Sequence, residues 1–335
     1  MSRGWAGDAR RLLARPELTA LTGAAAVFTF FVVTAGDTGF LTTQGTINYL
    51  EVAAQLGIIA VFVTLLMIAG EFDLSVGSML GAAGVMVAYP VAEMGWPLWA
   101  AVLLAAAAAA VVGLVNGYLV IRTGLPSFIV TLAALFILRG TTIAVTRLVT
   151  DGSTQVGGGD VATQGDPLRA LLAGEPAGIP ASVFWWVGLT LCATLVLAYT
   201  RFGNWVFGVG GDPEAARKLG VPVAGVKVVL FVLTALAATL VAAIGVLDNG
   251  AADVQQGQLK EFQAITAAVI GGTLLTGGYG TAVGTAFGAL IFGMVSQGLF
   301  FTGVDADWFQ AFLGAMLLAA VLVNRYFQRR AREER

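Results

Sequence analysis

Apolar residues run through this chain in blocks long enough to cross a bilayer, and polar residues collect in the gaps between them. A helix rising 1.5 Å per residue needs about 20 apolar residues to cross roughly 30 Å of hydrocarbon. Blocks of that kind lie near 17–35, 50–69, 97–121, 126–146, 182–200, 225–247, 281–301 and 307–325. Two shorter ones, at 74–92 and 262–276, bring the expected spans to about ten. The pattern predicts an all-α polytopic membrane protein. Residues 1–335 form a single transmembrane domain, with an N-terminal segment at 1–16 and a tail at 326–335.

The polar gaps are uneven. Residues 147–181, rich in Gly and Pro, form the longest loop, and "DNGAADVQQGQLKE" (248–261) forms another. The segment 201–224 holds "GVGGDPEAARKLGVP" (208–222), where acids, a proline and two cations crowd together. That stretch is punctuated as a short helix over 213–219. Asp212 can cap it, Pro213 suits the first helical position, and Glu214 meets the positive end of the dipole. Arg217 and Lys218 meet the negative end, and Gly220 can stop it. So few residues do not hold a helix alone, so it is braced by neighbouring spans or by a partner surface. The residues alone leave open whether it is a contact helix or a well-capped connector.

Composition turns the pattern into a requirement. With 58% hydrophobic and 11% charged residues in 335, too little polar surface remains to cover a soluble core. Of the 18 Lys and Arg, all but Arg139, Arg147, Arg169 and Lys260 fall on the side of the N-terminus, which puts both termini in the cytoplasm. The loops at 147–181 and 248–261 then face outward. The basic start followed by an apolar run is similar to a signal peptide, but "FFVVTAGDTGF" offers no small-residue cleavage site, so the first helix is expected to stay. The single Cys192 lies in an apolar run and suits packing. The absence of histidine excludes imidazole metal sites and histidine proton relays. A net charge of −2 says nothing about partners.

Two segments echo each other. "IAGEFDLSVGSMLGAAG" from Ile68 and "IGGTLLTGGYGTAVGTAFG" from Ile270 both leave an apolar helix through a glycine-bearing break and enter a glycine-punctuated one. Paired interruptions of this kind point to a transport pathway, although two Gly-rich turns can also match by chance. Glu71 and Asp73 lie in the first break, where a carboxylate either serves the pathway or, for Asp73, caps the next helix through the amide of Ser75 or Val76. Arg139 interrupts a span and could answer one of these acids. Gly77, Gly81, Gly280, Gly284 and Gly288 make small-residue faces for close helix packing. No catalytic residue and no metal site emerges. GxxxxGKS and GxxxxGKT, HExxH and CxxC are all missing, so the chain cannot cradle a nucleotide by the P-loop route.

Four blocks carry a family resemblance. "GEFDLSVGSMLGAAG" resembles the G-I-D-L-S-V-G-S signature of the ribose/xylose-type permease subunits of bacterial ABC sugar importers. "NGYLVIRTGLPSFIVTLAALFILRGTTI", "TRFGNWVFGVGGDPEAARKLGV" and "ITAAVIGGTLLTGGYGTAVGTAFGALI" are similar to three further blocks in the same order, from about Gly70 to Gly293. Departures occur: Asn204 stands where the family often has a basic residue, Gln263 where it often has an acid, and Glu71 and Phe72 where Gly and Ile are commoner.

The resemblance implies the ABC importer permease fold in the bacterial inner membrane, working as a homodimer. Implied partners are two ABC ATPase subunits or one tandem ATPase, an extracytoplasmic solute-binding protein and the lipid bilayer, with no nucleic acid. The chain binds no cofactor, and ATP and Mg belong to the partner ATPase. Asp212, Pro213, Glu214, Ala215, Ala216, Arg217 and Gly220 would form the coupling helix that docks on that ATPase. A monosaccharide would cross along a path offering Glu71, Asp73, Ser75, Asn116, Ser127, Gln263 and Thr266. The alternatives are the same architecture importing an amino acid, nucleoside or signalling sugar, or an ion-coupled secondary transporter using Glu71 or Asp73.

Overall fold

A computed structural model describes residues 16–157, 163–305 and 308–333, with side chains from 17 to 322 within those ranges. The expected N-terminal segment at 1–16 lies outside the described residues except for Pro16, and so do the side chains of the tail. The helices are α1 Pro16–Ala35, α2 Thr43–Ile68, α3 Val76–Met94, α4 Leu98–Thr123, α5 Ser127–Val149, α6 Pro167–Ala173, α7 Ala181–Tyr199 and α8 Arg201–Gly211. They continue with α9 Pro213–Lys218, α10 Val223–Asn249, α11 Lys260–Ile270, α12 Ala282–Phe301 and α13 Phe309–Glu333. Two short strands, β1 Gln155–Gly157 and β2 Ala251–Asp253, pair antiparallel with Gln155 opposite Asp253.

Among the described residues, eight helices are long and apolar enough to span a membrane. The block expected at 262–276 is instead the 11-residue α11. It stops at Gly271 and Gly272, the latter at φ +92°, a left-handed conformation that glycine adopts without strain. The last block is α13, whose apolar part runs Phe309–Leu322, and the backbone stays helical to Glu333 where a tail was expected. The loop at 147–181 contains α6, which Asp166 caps by accepting from the Leu168 amide (2.8 Å) with Pro167 at the first position.

The chain divides into two units. One comprises 71–186 and 212–262 and is built around the 27-residue α10, flanked by α3 and α4. Close approach of α4 depends on glycine: a Cβ on Gly113 would lie 2.6 Å from Val232 Cα, and one on Gly117 2.9 Å from Val228 Cα. The other face of α4 exposes Leu103, Leu104, Val111, Leu114 and Val115, an apolar surface suited to lipid. In α6, Arg169 donates to the Leu247 carbonyl (3.2 Å) and to Thr163 Oγ1 (2.8 Å), so this cation meets the C-terminal end of α10.

The other unit comprises residues up to 70, 187–211 and those from 263 on, with α12 packed on α1 and α2. Gly293 meets α2, where a Cβ would lie 2.8 Å from Ala53 Cβ. Thr64 and Thr285 share a buried hydroxyl–hydroxyl hydrogen bond of 2.6 Å, and the rings of Phe40 and Tyr49 stack at 5.1 Å.

The echo seen in the sequence is a geometric repeat. At the end of α2 the Ala69 amide bonds Leu65 and the Gly70 amide bonds Met67. At the end of α11 the Gly271 amide bonds Ala267 and the Gly272 amide bonds Val269. Gly70 and Gly272 are both left-handed, at φ +84° and +92°. The packing is reciprocal as well: α1 packs on α12, and α10 packs on α3.

Candidate functional site

Where α2 stops at Ile68 and α3 starts at Val76, the intervening backbone has no helical partners, and buried amides need others. Side chains supply them. Ser127 Oγ accepts from the Phe72 amide (2.9 Å) and Thr131 Oγ1 from the Leu74 amide (3.0 Å). These two hydroxyls stand one turn apart on the same face of α5. Asp73 Oδ1 accepts from both the amide and the hydroxyl of Ser75, at 2.8 and 2.6 Å. Its Oδ2 accepts from Thr234 in α10 (3.1 Å), and Asn116 in α4 donates to Ser75 Oγ (3.0 Å). Asp73 is 1% exposed, so a carboxylate without these donors would be expensive to hold there. Glu71 forms an ion pair with Lys227 of α10.

The two acids therefore lie along one helix. Lys227 and Thr234 are about two turns, or about 10 Å, apart on α10. The Glu71–Lys227 pair borders a cavity of about 340 Å³ whose wall also includes Arg217, Gly124, Pro126 and Val223. Arg217 belongs to α9, so one cavity joins the break, the α4–α5 turn and the start of α10 to the capped helix.

That helix takes the form its residues foretell. Asp212 Oδ1 accepts from the amides of Glu214 and Ala215, each at 2.9 Å, and Gly220 turns the chain at φ +84°. Ala216 is buried and its neighbours are exposed. Leu219 is 85% exposed, an apolar residue at the end of a charged helix with nothing over it among the described residues.

Five of the seven expected path residues, Glu71, Asp73, Ser75, Asn116 and Ser127, thus gather at one break. Gln263 and Thr266 lie on α11 in the other unit, where Gln263 Oε1 is buried without a hydrogen-bond partner. The expected pairing of Arg139 with Glu71 or Asp73 is corrected. Ser127 is at the break, and Arg139 lies 12 residues further along α5, about 18 Å away. It faces Glu261 instead, at 4.0 Å. Of the glycines, Gly77 abuts Glu261 and Gly257, Gly81 abuts Val254, Gly284 abuts Gly271, and Gly288 abuts Ala267. Gly280 departs from the expected packing face, because α12 begins only at Ala282 and Gly280 belongs to the break before it.

Lys227, Thr131 and Thr234 were not among the expected site residues. Lys227 stands out in the sequence as a cation at the head of an apolar run, and Thr131 as a hydroxyl one turn after Ser127. Thr234, one of two threonines in an apolar helix with Thr239, carries no such signal.

A family model described as "Branched-chain amino acid transport system / permease component" matches residues 45–321. The chain is 35% identical to the ribose import permease protein RbsC of Escherichia coli K12, covering 88% of this chain and 89% of that one. It is 29% identical to the xylose transport system permease protein XylH of the same organism over 91% of each. It is 32% identical to the autoinducer 2 import system permease protein LsrD of Klebsiella pneumoniae over 80% of this chain and 79% of that one. No solved structure matches it.

Proposed function

Because the chain belongs to this family of permease components, we propose that it is the transmembrane subunit of an ATP-binding-cassette importer that brings a monosaccharide into the cytoplasm. The relatives named for ribose and xylose, each aligned over nearly the whole chain, support a sugar over the amino acid of the family description. It is a multi-pass protein of the inner membrane and a transport subunit rather than an enzyme. ATP and Mg act on separate ATPase subunits, and the working assembly is a homodimer with two such subunits, or a tandem one, and a solute-binding protein outside. About ten spans put both termini in the cytoplasm: the eight long helices, α11 with its break, and α13.

The observation that carries the reading is α9, too short to stand alone, capped at both ends and topped by exposed Leu219 beside the cavity that Lys227 and Glu71 border. Its task is to bear on the ATPase and pass its movement to α10 and, through Glu71 and Asp73, to the break. The break borders the sugar path. Both carboxylates are already engaged by Lys227, Ser75 and Thr234, which favours this over an ion-coupled carrier needing a free acid.

The test is Ala215→Asp. On an exposed helix the change is mild, whereas in a protein contact it buries an unpaired charge. The variant is expected to keep its melting temperature in detergent and to lose ATPase association and sugar-stimulated hydrolysis. Retained association would leave α9 a connector, and sugar uptake by the permease alone in liposomes would establish a secondary carrier.

A further inference from the structure

At the end of α10 opposite α9, about 40 Å along its 27 residues, lies a second cavity of about 450 Å³. Its side chains are Gln155, Asn249, Asp253, Gln255, Gln256 and Gln258, with two alanines of β2 beside them. Among the described residues, no cation and no aromatic ring lines it. The frame is firm: β1 pairs with β2, Gln155 Nε2 donates to Asp253 Oδ2 (2.9 Å), and the Gln255 amide donates to Asp253 Oδ1 (2.8 Å). Gln256 Oε1 is buried without a hydrogen-bond partner.

The geometry points to an outer antechamber in which this permease takes up a neutral, polyhydroxylated solute released by the binding protein. This inference rests on the importer reading above and names the chemistry of its entrance. A primary amide both donates and accepts, as a sugar hydroxyl does, and five amides around one space can serve a hydroxylated ring in several orientations. A zwitterionic amino acid would want a cation for its carboxylate, and the described lining has none. The size lies within the roughly 300–1,000 Å³ range of small-molecule sites. The lack of an aromatic platform keeps binding weak, which suits a site that must release its occupant inward.

The cavity also leads somewhere. From Val254 the chain runs along α3 with Val254 against Gly81, then Gly257 and Glu261 against Gly77. Gly77 is two residues from Ser75 and four from Asp73, so the strip of backbone beneath the amides ends at the break. A side chain on either glycine would push that strip away from α3.

The test uses the complete complex of permease, ATPase and binding protein in proteoliposomes, with D-ribose and D-xylose as probes and binding protein in excess. Gln255 and Gln258 are exposed, so Gln255→Leu with Gln258→Leu leaves the fold alone. Loss of two neutral hydrogen bonds on the entry route is expected to lower uptake about tenfold, with binding-protein-stimulated ATP hydrolysis within about twofold of wild type. The doubly substituted Asn pair, which keeps the amides, is expected to take up more sugar than the Leu pair. Unchanged uptake in the Leu pair, or an Asn pair equally impaired, overturns the inference and leaves the importer reading standing. Uptake and hydrolysis falling together would make the surface a dock for the binding protein and overturn it too. A wild-type complex that imports neither pentose and shows no stimulated hydrolysis would remove both readings.

Discussion

The two breaks share a helix exit and differ in what holds them afterwards. After α2, side chains from three helices satisfy the chain: Ser127 and Thr131 of α5, Asn116 of α4 and Thr234 of α10. After α11, backbone does the work. The Gly278 amide bonds the Ile68 carbonyl at 2.8 Å, the Leu274 amide bonds the Tyr279 carbonyl at 3.1 Å, and glycines press directly on one another. The first break contains two acids and the second, Gly271–Thr281, contains none. A break held by side chains can exchange partners by turning a rotamer. One held by backbone contact has two glycine surfaces that cannot part without opening a void. Under the importer reading, the clamped break on α10 is the adjustable one and the glycine break is the fixed one.

Five substitutions test that contrast, read as melting temperature in detergent. The largest effect is expected from Gly277→Val, because Gly277 sits at φ +81° and a Cβ there would lie 2.9 Å from Gly70 Cα and 3.0 Å from the Gly210 carbonyl. Left-handed strain on a β-branched residue and a backbone clash should together cost about 3 kcal/mol or more. A tolerant site would show that the second break is not backbone-locked. Asp73→Ala should cost about 2–3 kcal/mol, since it strands the Ser75 amide and the Ser75 hydroxyl, while Thr234 keeps the Phe231 carbonyl.

Glu71→Gln leaves the Lys227 ammonium unpaired but near a cavity, and is expected to cost about 1–2 kcal/mol, partly recovered in the double variant with Lys227→Met. Full additivity of the two changes would mean that the pair does not couple α10 to the break. The smallest effect separates the regions most sharply. Thr131→Val should cost about 1 kcal/mol because the Leu74 amide loses its acceptor. Thr273→Val in the glycine break should be neutral within about 0.5 kcal/mol, because Thr273 Oγ1 is buried with no partner to lose. Equal losses at the two threonines would erase the distinction.

Local features were legible in the sequence and remote pairings were not. The α9 caps are written in adjacent residues, Asp212 to Gly220, so the local code suffices. The repeated break shows as two glycines placed alike after Ile68 and Ile270. Glu71 finds Lys227 and Asp73 finds Thr234 across more than 150 residues, and that depends on helix packing rather than on anything near either acid. Arg139 was matched to the wrong acid because sequence position gives no depth along a helix. The amides at 255–258 are visible as letters, but only the pairing of β1 with β2 gathers them with Gln155.

The helix α10 carries Lys227 near one end, Thr234 eleven residues in, and Asn249 at the other end. With Asp73 bonded at Thr234 it is a beam supported inside its length, not at a tip. Its arms are unequal, about 17 Å toward α9 and about 23 Å toward the amide cavity. Were α10 to tilt rigidly about that point, a push on the short arm of about 1.5 Å would return about 2 Å at the long one, in the opposite direction. If α9 receives the ATPase's movement, as the importer reading proposes, this leverage would enlarge small displacements at the amide end of α10.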